Sequence, residues 1–248
     1  MQIEVNQIKT HYLQMGDGQP LIILHGWGSR AERWIALAEI LSQRGLRVII
    51  PDLPGFGESE TPSNAWTSED YLRWFAEFIR LLKINEFYLL GYSFGGALSF
   101  KIALRYPQQI KKLFLICPAL IRKKSFFKKI VNKVAKVFKK FSFLPGYSFL
   151  KKVFYFLFIP KTDYLSANGI MKKIYLNIIS DDQSFKLSLL KVPTVIIWGA
   201  KDKVVPLKDA YFINKKIENS KLIIIPHADH LIYRTLSDKV AEKIIENL

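Results

Sequence analysis

The stretch Leu89-Leu-Gly-Tyr-Ser-Phe-Gly-Gly96 runs an apolar strand straight into a serine crowded by glycines. One small residue would suffice for a plain turn, yet Gly91, Gly95 and Gly96 all flank Ser93. That spacing suits a sharp strand-to-helix turn, in which missing side chains let neighbouring backbone press close and the hydroxyl stands exposed. Gly-x-Ser-x-Gly recurs by chance in long chains. Its weight here comes from the strand before it and the helical pattern after it.

Outward from this turn the same alternation repeats. Leu21-Ile-Ile-Leu24, Leu46-Arg-Val-Ile-Ile50, Phe87-Tyr-Leu-Leu90, Leu113-Phe-Leu-Ile116, Val195-Ile-Ile-Trp198 and Leu222-Ile-Ile-Ile225 are apolar without a period of two. Strands covered on both faces read this way. Helical patterns over roughly 31–44, 68–82, 94–105, 207–217 and 236–247 fall between or after them, which predicts an α/β fold with a mostly parallel, doubly wound sheet. The alternation of Ile3, Val5, Ile8 and Tyr12 up to Gly16-Asp-Gly18 predicts an antiparallel hairpin entering that sheet.

In such a sheet chemistry gathers beyond the carboxyl ends of the strands. A serine there needs a base to take its proton, and the base needs an orienting carboxylate. Asp202 follows the strand ending at Trp198, and Pro226-His-Ala-Asp-His230 follows the strand ending at Ile225. The order is Ser93, Asp202, His230. His227 competes for the base, but it follows its strand with less loop to reach back. Asp229 competes for the acid, but a neighbour in sequence turns poorly onto the same imidazole. Backbone N–H groups of Phe94, just after the serine, and of Trp27, in His25-Gly-Trp-Gly28, are the candidates for an oxyanion hole. His25 reads as a hydrogen-bonding residue of that loop, and His11, in the hairpin, as exposed.

The chain has 248 residues, 37 Lys+Arg against 21 Asp+Glu, and a net charge of +16. Residues 1–118 and 192–248 are nearly balanced, whereas 119–191 hold 16 basic and 3 acidic side chains. That regional excess marks an insertion, a basic and mainly helical cap, on a core made of 1–118 and 192–248. In Phe126-Phe-Lys-Lys-Ile-Val-Asn-Lys-Val-Ala-Lys-Val-Phe-Lys-Lys-Phe141 the apolar residues share one helical face and lysines the other. Such a cap can simply roof the site, or meet an acidic carrier protein or an anionic membrane surface. Val153-Phe-Tyr-Phe-Leu-Phe-Ile159 is too short to span a bilayer and suits the wall of an acyl pocket. The lysines interleave with apolar residues and arginines are few, which argues against nucleic acid. With one cysteine, Cys117 at a strand end, no internal disulfide is available. No signal-peptide pattern opens the chain, so a cytoplasmic location is expected. No metal-ligand spacing or phosphate-cradling loop suggests a cofactor.

His25-Gly-Trp-Gly28, Pro51-Asp-Leu-Pro-Gly-Phe-Gly-Glu-Ser59, Gly91-Tyr-Ser-Phe-Gly95, Trp198-Gly-Ala-Lys-Asp202 and the Pro226-to-His230 loop together resemble the cap-bearing serine hydrolases of the α/β-hydrolase fold. The resemblance covers both ends of the chain. It implies an esterase acting on a small or medium apolar acyl ester through an acyl-serine. Relatives with a carboxylate nucleophile, the haloalkane dehalogenases and epoxide hydrolases, do not fit Ser93. Lactonase action, as on an acyl-homoserine lactone, carrier-protein methyl ester hydrolysis and carbon–carbon bond hydrolysis share these motifs. A non-catalytic module that binds a membrane or protein through the cap is the alternative from another class. Oligomeric state is not legible.

Overall fold

The structure, a computed structural model, describes residues 1–121 and 169–248. Among them the apolar runs form eight strands: β1 (Gln2–Val5), β2 (Ile8–Met15), β3 (Gln19–Leu24), β4 (Leu46–Pro51), β5 (Phe87–Tyr92), β6 (Ile110–Ile116), β7 (Thr194–Gly199) and β8 (Ser220–Ile225). They lie side by side in the order β1-β2-β4-β3-β5-β6-β7-β8. From β4 through β8 every pairing is parallel, and β1 and β2 add an antiparallel edge.

The antiparallel hairpin is present, but its turn is not at Gly16-Asp-Gly18. The chain reverses at Asn6-Gln7, both at positive φ (48° and 63°), the torsions a two-residue hairpin needs to match strand twist. Gly16 to Gly18 instead carries the chain past the start of β4, against the carbonyls of Gly45 and Leu46.

The helices follow the predicted spans: α1 (Ile35–Ser42) after a 3-10 turn at Ala31–Trp34, α2 (Ser68–Leu81) and α3 (Phe94–Arg105). Further on come α4 (Gly169–Ile179), a 3-10 turn at Ser184–Leu189, α5 (Leu207–Lys216), α6 (Ile232–Thr235) and α7 (Ser237–Ile245). α2 starts where it does because the Asp70 carboxylate accepts the Thr67 backbone N–H at 2.7 Å, satisfying a donor that the first turn leaves open. Its Tyr71, Leu72, Phe75, Phe78 and Ile79 then bury one face. α1 packs on α6 and α7, and α2 on α3. Leu21 through Leu24 point to alternate sides of β3 and are all fully buried, so both faces of the sheet are covered.

The sheet order reverses at β3, with β4 on one side and β5 on the other. Loops leaving neighbouring strands on either side of such a switch point diverge and open a crevice. His25–Gly28 leaves β3 and Ser93 leaves β5 at that place. The expected helix over 126–141 and the apolar block 153–159 lie outside the described residues. Within 119–191, α4 packs through buried Ile174 and Ile178 and through Asn177 Nδ2, which donates to the Trp66 carbonyl at 3.1 Å.

Candidate active site

Ser93 sits between β5 and α3 at φ 50° and ψ −111°, the strained turn that its glycines anticipate. The strain is held from several sides. Its N–H donates to the Ile116 carbonyl at 3.0 Å, and its own carbonyl accepts from Ala97 and Ala119. A side chain on Gly95 would collide with the carbonyls of Leu24 and His25, so the glycine lets α3 press against the end of β3. This brings the His25–Gly28 loop to the serine: a carbon added at Gly26 would lie 3.5 Å from Ser93 Cβ.

Ser93, Asp202 and His230 meet. His230 Nε2 lies 3.2 Å from Ser93 Oγ, and its Nδ1 lies 2.7 Å from Asp202 Oδ2. The other carboxylate oxygen of Asp202 accepts N–H bonds from Val204 and Val205 at 2.8 and 2.9 Å. Burial alone would raise the Asp202 carboxyl, but bonds from His230 and these two amides outweigh it and hold it below the ordinary carboxylate range. Asp202 is therefore ionised at neutral pH, an acceptor that orients the imidazole with Nε2 facing the serine. His227 is exposed and takes no part. Asp229 turns away and accepts the Leu231 N–H at 2.9 Å.

Phe94 opens α3, where an N–H has no partner within its helix. The Trp27 ring meets the Phe94 ring edge-on at 5.5 Å, so the two residues expected to supply the oxyanion donors stand together. His25 holds their loop. Its Nδ1 lies 2.8 Å from the Gly26 carbonyl and its Nε2 accepts the Leu53 N–H at 3.0 Å. Burial, the largest influence, lowers its pKa despite the Gly26 carbonyl and the Asp52 carboxylate. A neutral ring that donates from Nδ1 and accepts at Nε2 satisfies both bonds.

His11 is not exposed. It is buried beneath the 52–59 loop, with Nδ1 2.8 Å from Asp52 Oδ2, because that loop folds back over β2. Asp52, fully buried, also accepts N–H bonds from Ala31 at 2.6 Å and Glu58 at 3.0 Å. It ties together the two loops flanking the serine, a role the sequence marked only as part of a motif. Tyr92 was also missed: its hydroxyl donates to the His230 carbonyl at 3.0 Å, placing the backbone that carries the base. Its sequence signal is position alone, one residue before the serine.

Cys117 is buried directly after β6, and burial pushes its thiol pKa up, which leaves it a neutral neighbour of Asp202 and His230. Two groups among the described residues offer metal-ligand atoms within 4.8 Å of one another: Cys117, Asp202 and His230, and His11, Glu32 and Glu58. In the first, Asp202 and His230 are bonded to each other; in the second, His11 is bonded to Asp52 and Glu32 is paired with Arg30 at 3.2 Å. Aromatic rings cluster around Phe94, the residue after the serine. Trp27 meets Phe56 at 4.8 Å and Tyr175 of α4 at 5.0 Å.

A nucleophile-turn serine, then an acid, then a histidine, each just past a strand of a mostly parallel sheet, is how one large class of hydrolases is built. The chain belongs to the alpha/beta hydrolase fold family, whose model matches residues 19–142 and 150–235. It is 24% identical to the Bos taurus monoacylglycerol lipase ABHD6 over 258 residues, covering 94% of this chain and 76% of that one. It is 25% identical to the 2-hydroxy-6-oxo-6-(2'-aminophenyl)hexa-2,4-dienoic acid hydrolase of Metapseudomonas resinovorans, covering 92% and 83%. An esterase from Exiguobacterium antarcticum shares the fold with a TM-score of 0.78 at 22% identity, covering 99% of this chain and 98% of that one. Among the described residues no helix is long and apolar enough to cross a membrane.

Proposed function

We propose that the protein hydrolyses carboxylic esters with an apolar acyl group of small or medium size through an acyl-serine. The observation that carries this reading is the relay in which His230 Nε2 faces Ser93 Oγ while Nδ1 is held by Asp202. Ser93 Oγ attacks the ester carbonyl and passes its proton to His230. Asp202 stabilises the imidazolium, and the N–H groups of Trp27 and Phe94 receive the developing oxyanion. His230 then protonates the departing alcohol, activates a water for attack on the acyl-serine, and returns the proton to Ser93. The preference for apolar acyl groups is supported by the aromatic cluster of Trp27, Phe56 and Tyr175, which meets Phe94 beside the serine. In this reading residues 119–191 form the cap, 1–118 and 192–248 the core, and no cofactor takes part.

Turnover of p-nitrophenyl esters from acetate to palmitate tests the reading. Hydrolysis by the wild type that disappears in Ser93→Ala supports it, and the preferred chain length sizes the acyl site. Full activity in Ser93→Ala removes the mechanism. A wild type inert to every ester, yet active on a lactone, a carrier-protein methyl ester or a carbon–carbon substrate, removes the ester assignment and keeps the relay.

A further inference from the structure

Away from the relay, α5 carries an unusual outer face. Its inner residues Asp209, Ala210 and Ile213 are buried against the core. Outward, Tyr211 is 55% and Phe212 41% exposed. The 3-10 turn at Ser184–Leu189 packs beside α5 and adds Phe185, 71% exposed, and Leu189, 61% exposed. Four of the large apolar side chains left in solvent therefore lie on two touching elements, a concentration that isolated surface apolars do not show.

The exposed charges on the two elements are all basic, and the acidic side chains beside them, Asp182 and Glu218, pair with Ser184 and Lys191. Lys208, Lys215 and Lys216 are exposed on α5, spaced so that they share the face of Tyr211 and Phe212. Lys216 Nζ stands 5.9 Å from the centre of the Phe212 ring, and Lys186 Nζ stands 5.5 Å from that of Phe185. None of the exposed residues of either element is acidic. Lysines on long stems around aromatic and leucine side chains form the pattern of a surface that lies in the headgroup region of a bilayer.

We infer that the face made by α5 and the Ser184–Leu189 turn docks on an anionic lipid bilayer. An acidic protein would pair the lysines but would need a groove matched to four separate apolar side chains. A bilayer accepts apolar side chains at any spacing, while its anionic headgroups pair the lysines. The contact is peripheral, with the apolar tips at the depth of the headgroups. None of its residues comes from the lysine-rich stretch over 126–141.

Co-sedimentation with vesicles tests this on the full chain. The probes are phosphatidylcholine vesicles with and without about a third phosphatidylglycerol, at low and high salt. The expected result is binding to the anionic vesicles only, weakened by salt. It should fall about tenfold or more in Phe185→Ser/Phe212→Ser and in Lys215→Glu/Lys216→Glu, since each pair removes two of the contacts that hold the face to the bilayer. All four positions are on the surface, so melting temperature and ester turnover should stay at wild-type values, and melting serves alone if no ester is turned over. Binding that both double variants leave intact would place the lipid contact elsewhere, on the lysine-rich stretch, and overturn the inference. Failure of the wild type to bind either vesicle would overturn it too.

Discussion

Ser93 keeps a torsion that L residues rarely adopt only because its neighbours leave the chain no alternative, and the glycines are part of that restraint. Gly95→Ala places a methyl group into the carbonyls of Leu24 and His25, which belong to backbone and cannot swing aside. The expected cost is about 1–3 kcal/mol in urea unfolding, with loss of hydrolase activity as the His25–Gly28 loop is pushed from the serine. Asp202→Asn should keep the fold and lower kcat by roughly ten-thousand-fold, because an amide at Oδ2 favours the wrong tautomer of His230. A variant retaining wild-type kcat would show that Asp202 does not orient the base. Ser93 and its strand-to-helix context were legible because their signal is local. His11 was misread because its burial depends on Ser59 and Asp52 folding over it from 48 and 41 residues away.

At the level of elements, α4 is followed by a polar clasp onto the core. Lys101 of α3, nearly buried, gives Nζ bonds at 2.8 Å to both Ser68 Oγ of α2 and Asp181 Oδ2, and lies 3.2 Å from Glu69. Burial alone would raise the Asp181 carboxyl, but Lys101 and Ser68 outweigh it and hold it below the ordinary carboxylate range. A carboxyl depressed in the folded state contributes stability above its unfolded value, roughly 3.9. That contribution fades as pH falls through the lower folded value. Asp181→Asn should therefore melt earlier than wild type at neutral pH, by a difference of about 1 kcal/mol, and the gap should close below about pH 4. A gap that persisted at low pH would mean that packing, not the carboxylate, holds this junction. The periodicity of α2 and α3 made both helices legible. Their meeting with Asp181 was not, since residues 80 and 113 positions apart in sequence carry no shared pattern.

Over the whole molecule the charge is uneven: the segments before and after 119–191 nearly cancel, and the middle holds most of the +16. A basic region next to the site draws anionic substrates and is screened by salt. If 119–191 roofs the site, kcat/KM for an ester with an anionic acyl group should fall several-fold from low to high ionic strength while that for a neutral ester stays level. Equal salt dependence for the two would place the basic region away from the substrate path. The amino-acid sequence by itself determined the parallel sheet, because continuous apolar runs are stable as strands only when covered on both faces. It also determined the order of serine, acid and histidine past successive strand ends. Only the tertiary structure decided that Tyr92 holds the backbone of His230, that Asp229 bonds its own loop, and that Asp52 joins the two loops beside the serine. The physical reason is reach. Periodicity and turn chemistry act within a few residues, whereas a relay exists only where separate loops converge, and that convergence is set by packing of the whole sheet and its helices.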